Sequence, residues 1–170
     1  MKNSIVEVIK NKTVELQDAG FTGAEFFDKM DEWLSSEEAS DIWPSLISLI
    51  PEHIGIVLTG GSGKKIVEKF GNTVLKNRHW TLFAGGVRRG AAPKVLASYS
   101  GDTFVYDNFM IDDSIYGGKT FKDIKQFMED KGSKLSSCYV VYDGCPEKRD
   151  WVFSLFRYYD FFQPEPNFKF

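Results

Sequence analysis

Twice in this chain an apolar run breaks at paired glycines and resumes as an amphipathic helix. The first instance is HIGIVLTGGSGKKIVEKF, residues 53–70, with Ile66, Val67 and Phe70 on one side of its helical part. The second is TFVYDNFMI, then DDSIYGG, then KTFKDIKQFMEDKG, residues 103–132. Its helical part spaces Phe121, Ile124, Phe127 and Met128 at helical period. HWTLFAGG, residues 79–86, and KLSSCYVVYDG, residues 134–144, follow the two units as further strands. This alternation predicts a parallel sheet with helices on both faces, because right-handed crossovers join parallel neighbours. Such sheets bind ligands beyond the carboxyl ends of their strands, where strand order reverses, and both glycine turns fall at strand carboxyl ends.

The pattern before Pro51 is helical. Residues 4–18 read as a helix stopped at Gly20, and Thr22 as the cap of a second helix striped by Phe26, Phe27, Met30, Trp33 and Leu34. A third helix opens at Ser36 or Ser40 and runs through DIWPSLISLI, with Pro44 early in it or breaking it. Residues 87–102 are basic and small, a mobile loop plus a short strand. One domain is therefore expected: a helical hood or packing segment (1–50), an α/β core (52–144) and an aromatic tail (145–170).

Partner classes are narrowed mainly by absences. A net charge of −3 carries no electrostatic footprint for nucleic acid. No apolar run approaches the roughly 18–20 residues of a membrane span, and MKNSIVEVIKNK lacks the apolar stretch of a signal peptide. Cys138 and Cys145 form no CxxC pair, and His53 and His79 have no ligand-spaced neighbours. The expectation is a cytoplasmic protein that binds neither nucleic acid nor membrane, with homodimer formation left open.

The glycine turns carry the chemistry. LTGGSGKK is not a P-loop: that pattern needs glycine at position 58 and Ser or Thr at position 65, where this chain has Leu58 and Lys65. What remains is a turn from Thr59 to Gly63 whose amides can approach an anion; a purely structural turn fits as well. DDSIYGGKT is more specific. Buried adjacent carboxylates are costly to desolvate and repel each other, so Asp112 and Asp113 call for a reason. Gly117 and Gly118 let successive amides point into one concavity, and Thr120 lies at a helix start, which favours an anion. Lys119 adds charge there or faces solvent. Carboxylates accept from vicinal hydroxyls, so the stretch reads as a clamp for a ribose 5-phosphate. The bland alternative makes Asp113 or Ser114 the helix cap of an ordinary βα turn.

FMIDDSIYGGKT resembles the phosphoribosyl diphosphate (PRPP) signature of type I phosphoribosyltransferases, and its DDSI form is similar to that of glutamine PRPP amidotransferases. The order of elements extends the likeness over residues 52–144. The resemblance implies a doubly wound, mainly parallel α/β sheet with an N-terminal helical segment. It implies transfer of the 5-phosphoribosyl group of PRPP to a nucleobase-like nitrogen, or the reverse, with release of pyrophosphate. Asp112 and Asp113 would contact the ribose hydroxyls and organise magnesium-bound PRPP; Ser114, Tyr116, Gly117, Gly118, Lys119 and Thr120 would surround the 5-phosphate. Thr59, Gly60 and Gly61 would meet the diphosphate, and Arg88, Arg89 or Lys94 would close over it. Asp143 and Trp151 would lie near the nucleobase or nucleotide; the alternative for Trp151 is that it anchors the tail on the sheet with Phe153 and Phe156. The chain also departs from the family. Tyr116 stands where enzymes acting on 6-oxopurines carry an aspartate base, Gly117 replaces a residue that often fixes the phosphate, and the Lys-rich loop of orotate enzymes is not matched. These departures keep a second expectation in play: a non-catalytic protein of the same fold that binds PRPP or a nucleotide as a regulator.

Overall fold

The structure is a computed structural model that describes residues 2–101 and 107–162. Three helices come first: α1 (Lys2–Asp18), α2 (Gly23–Leu34) and α3 (Ile42–Ile47). Then follow β1 (Gly55–Thr59), α4 (Gly60–Phe70), β2 (Trp80–Phe83) and β3 (Val95–Tyr99). The last elements are β4 (Asp107–Ile115), α5 (Lys119–Asp130), β5 (Lys134–Asp143) and β6 (Val152–Arg157). The six strands form one sheet in the order β3-β2-β1-β4-β5-β6. All neighbours are parallel except β2 and β3.

This order contains the reversal the alternation predicts. From β1 the chain winds one way through α4 to β2; from β4 it winds the other way through α5 to β5. β1 and β4 are neighbours, in register at Leu58↔Ile111, so β1 ends at Thr59 beside the acid pair of β4 at the switch point.

Two apolar layers hold the helices to the sheet. On one face Ile9 of α1, the α2 stripe, Trp43 and Leu46 of α3 and Ile66 of α4 pack against Ile56, Leu58, Ile111 and Val141. On the other, Phe121, Ile124 and Met128 of α5 cover Val57, Met110, Cys138 and Val140. The two-residue period of a strand places Val57 opposite Ile56 and Leu58, so a strand covered on both faces is apolar throughout. Each fully buried Leu, Ile or Phe contributes about 1.5–3 kcal/mol. Among the described residues no helix is long and apolar enough to cross a membrane.

Several local expectations are corrected. Thr22 occupies the N-cap position of α2 in extended conformation, but its side chain makes no capping hydrogen bond. The third helix is split into a 3-10 turn, Glu37–Ala39, and α3. Pro44 is the third residue of α3, where a backbone N–H has no helical partner to lose. β4 does not stop before the acid pair. It runs to Ile115 because β5 continues beside it, pairing Asp112↔Val140 and Ser114↔Tyr142. Residues 103–106 of the predicted strand lie outside the described residues. The expected glycine loop at 59–63 is instead the first turn of α4, entered directly from β1 through Gly60 at φ +63. The basic segment holds a 3-10 turn, Val87–Arg89, and the exposed edge strand β3. Part of the aromatic tail is β6, with Phe156 buried in the core; residues 163–170 lie outside the described residues.

Candidate functional site

A cavity of about 390 Å³ opens at the carboxyl ends of β1, β2 and β4. Its floor is built by three strand-to-turn transitions. Thr59, Gly60 and Gly61 present the start of α4. Ala84 to Arg89 follow β2. Asp112 to Phe121 carry the acid pair into α5. The two helix N-termini therefore point their free amides and positive dipole ends into one concavity, an arrangement suited to two anionic groups.

The acid pair is held by hydrogen bonds. The backbone N–H of Asp113 donates to Asp112 Oδ1 at 2.9 Å, and that of Ser114 donates to Asp113 Oδ1 at 3.2 Å. Ser62 Oγ, on the first turn of α4, donates to Asp113 Oδ2 at 2.7 Å. Burial, and then the charge of Asp113, push the Asp112 carboxyl well above the usual carboxylate range. Two adjacent carboxylates are hard oxygen donors of the kind that magnesium takes alongside water ligands. They do not form a metal cage of their own: among the described residues no group of three or more His, Cys, Asp or Glu side chains is placed to hold a metal ion.

The signature turn is short. Gly118, at φ +82, is the N-cap of α5, and Thr120 is the second residue of that helix. Lys119 lines the cavity, and its ammonium pairs with Asp123 one turn along α5. Tyr116 lines the cavity and packs on Phe27 of α2, ring centroids 4.3 Å apart. Arg88 and Arg89 line the opposite rim, Arg88 lying 3.9 Å from Asp28 of α2. Lys94 does not line the cavity; its carbonyl accepts from the N–H of Ala84.

Asp143 and Trp151 stand elsewhere. Asp143 is 3% exposed and accepts from the N–H of Cys145 at 2.9 Å. Arg149 and Arg157 each approach it to 3.9 Å, so it secures the turn between β5 and β6. Trp151 stacks on Phe121 with centroids 4.4 Å apart, and the Arg149 guanidinium lies over the tryptophan ring, 4.9 Å from its centroid. A Cβ on Gly118 would come within 3.0 Å of the Trp151 ring, so this tryptophan braces the signature turn from behind. Neither residue lines the cavity.

Two site residues escape the sequence reading. Ser62 sits in the glycine stretch, and its role rests on β1 and β4 being neighbours. Asp31 of α2 lines the cavity, and its Oδ1 accepts from Ser114 Oγ at 2.8 Å. Burial, then the charge of Asp113, push its carboxyl up to about 7, against the opposing effects of the Ser114 hydrogen bond and Arg88. No local signal marks Asp31, a polar residue beside an apolar stripe.

No protein-family model matches the chain, and no curated protein sequence does. Solved structures do. The chain is similar to orotate phosphoribosyltransferase from Aeropyrum pernix, with TM-score 0.51 at 12% identity over 87% of this chain and 94% of that one. Orotate phosphoribosyltransferase from Mycobacterium tuberculosis H37Rv in complex with PRPP gives TM-score 0.49 at 11% identity, over 94% and 90% of the two chains. Adenine phosphoribosyltransferase from Leishmania donovani gives 0.44 at 15% identity, over 72% and 66%. At such identities the first of these likenesses bears on the fold alone. The chain has the doubly wound, mainly parallel α/β fold with leading helices that its sequence predicts.

Proposed function

We propose that the chain is a phosphoribosyltransferase, using PRPP and a nucleobase-like nitrogen acceptor and releasing pyrophosphate. The observation that carries this reading is the meeting, in one cavity, of an acid pair, a glycine turn capping α5 and a second glycine junction opening α4. One diphosphorylated sugar phosphate has the chemistry to use all three. Amides of Gly117 to Thr120 receive the 5-phosphate; Asp112 and Asp113 accept from the ribose hydroxyls; Thr59 to Gly61 meet the diphosphate. Arg88 and Arg89, on the rim, close over the diphosphate and neutralise charge as the C1–O bond breaks. The acceptor nitrogen bonds to C1 in place of the diphosphate oxygen, the electron pair of the broken C1–O bond leaves on pyrophosphate, and the proton of an N–H acceptor passes to pyrophosphate or water. No protein nucleophile is required; positioning and leaving-group stabilisation supply the acceleration. Asp112 and Asp113 would hold the magnesium ion that PRPP brings, and that ion supplies further charge neutralisation.

One observation favours the second reading, a non-catalytic PRPP or nucleotide binder. Both oxygens of Asp113 are already hydrogen-bonded, to Ser62 and to the Ser114 amide, which is compatible with binding but leaves less freedom at the sugar. Pyrophosphate release from PRPP and magnesium, assayed against adenine, hypoxanthine, guanine, xanthine, uracil and orotate, separates the two. Release with any base supports the transferase. PRPP binding without release across that panel supports the binder.

A further inference from the structure

Asp31 is the one described residue of the three N-terminal helices that lines the cavity. It is placed there by contacts on both sides. Four residues earlier on α2, Phe27 packs on Tyr116; Asp31 itself receives the Ser114 hydroxyl; three residues earlier, Asp28 faces Arg88. α2 thus spans the cavity from the signature turn to the basic rim, and Asp31 is its only side chain turned into the space beneath. Oδ1 is committed to Ser114, and among the described residues Oδ2 takes no hydrogen bond. A carboxylate oxygen, anchored through its partner oxygen, is left at a cavity whose floor suits a sugar phosphate and a diphosphate.

From this geometry we infer that Asp31 is the specificity residue for the acceptor, its free carboxylate oxygen receiving a ring N–H or exocyclic NH2 of a planar nitrogen heterocycle held under α2. The inference rests on the transferase reading above. It follows by exclusion within the cavity: the sugar phosphate and diphosphate occupy the two helix N-termini on the floor, so the third reactant enters beneath the roof. An ionised carboxylate only accepts, which selects a heterocycle that presents a donor on that edge.

The test uses the full chain at pH 8. Asp31→Asn keeps an oxygen for Ser114 and exchanges the free acceptor for a donor, so the docking of α2 is preserved. The same six bases are assayed for pyrophosphate release, and AMP, IMP, GMP, XMP, UMP and OMP for binding by calorimetry; PRPP binding with magnesium is measured separately. The expected result is a loss of about 10- to 100-fold in kcat/KM, carried mainly by KM, for the preferred base, the scale of one charge-assisted hydrogen bond. The matching nucleotide weakens in parallel, while PRPP affinity is unchanged and Asp31→Glu retains the wild-type order of bases. Equal base preference and KM in wild type and Asp31→Asn overturn the assignment. So does a wild type that binds PRPP but discriminates among none of these bases or nucleotides, and in both cases the PRPP site stands. A wild type that binds no PRPP removes the transferase reading and this inference together.

Discussion

Asp31 and Ser114 lie 83 positions apart in the chain and are joined by a 2.8 Å hydrogen bond from the Ser114 hydroxyl to the Asp31 carboxylate. This contact ties the N-terminal helices to the signature turn. It turns a helix that reads as a packing segment into the roof of the cavity.

The roof carries a pH dependence. The Asp31 carboxyl is raised from 3.8 to about 7 by burial and by Asp113, and Asp112 is raised in the same direction. Between those values the folded chain keeps a proton that the unfolded chain has released, so stability falls as pH rises from about 4 to about 7. A tenfold change in proton affinity is worth about 1.4 kcal/mol, and partial solvation holds the contribution of Asp31 to a few kcal/mol at most. In magnesium-free buffer the melting temperature of the wild type should fall across that window relative to Asp31→Asn. A difference between the two that stays constant with pH would contradict the placement of Asp31.

Arg88 and Arg89 are exposed on the rim, and the Arg88–Asp28 pair at 3.9 Å contributes little to stability. Arg88→Ala/Arg89→Ala should leave the melting temperature near wild type and lower turnover on the order of 10²-fold. Binding of a nucleoside monophosphate, which lacks the diphosphate, should change far less. Comparable losses in turnover and nucleotide binding would argue against a role on the leaving group.

Trp151 braces the signature turn. Trp151→Leu removes the stack on Phe121 and the contact under Gly118, a loss of about 1–3 kcal/mol that lowers the melting temperature by roughly 3–8 °C. PRPP affinity should weaken with it, because the turn proposed to receive the 5-phosphate loosens. A selective rise in the KM for the base at unchanged melting temperature would put Trp151 back against the acceptor.

Gly118 tests the same turn from the other side. Its φ of +82 disfavours any side chain, and an added Cβ meets the Trp151 ring at 3.0 Å and Arg149 at 3.2 Å. Gly118→Ala should cost about 1–2 kcal/mol in thermal unfolding and reduce PRPP binding. An alanine variant with wild-type stability and affinity would show that the turn adopts another shape.

What was legible in the sequence was local. The acid pair, Gly117–Gly118 and Thr120 lie within nine residues, and strand–turn–helix periodicity places them without knowledge of any neighbour. The mainly parallel sheet with helices on both faces followed because right-handed crossovers leave few ways to arrange alternating strands and helices. What escaped was set by packing between distant segments. β4 extends through the acids because β5 lies beside it; Ser62 reaches Asp113 because β1 does. Asp31 is a helical polar residue whose meaning depends on which turn α2 covers. Trp151 is close to the predicted site in sequence, yet the parallel return of β6 lays it behind Phe121.

The most direct measurement is calorimetric titration of PRPP with magnesium into the wild type and into Asp112→Asn/Asp113→Asn, with circular dichroism and melting curves on both. Binding by the wild type, and none by the double variant at an unchanged fold, is the predicted result. Unchanged affinity in the double variant, or no binding by the wild type, would contradict the assignment of this cavity as a PRPP site.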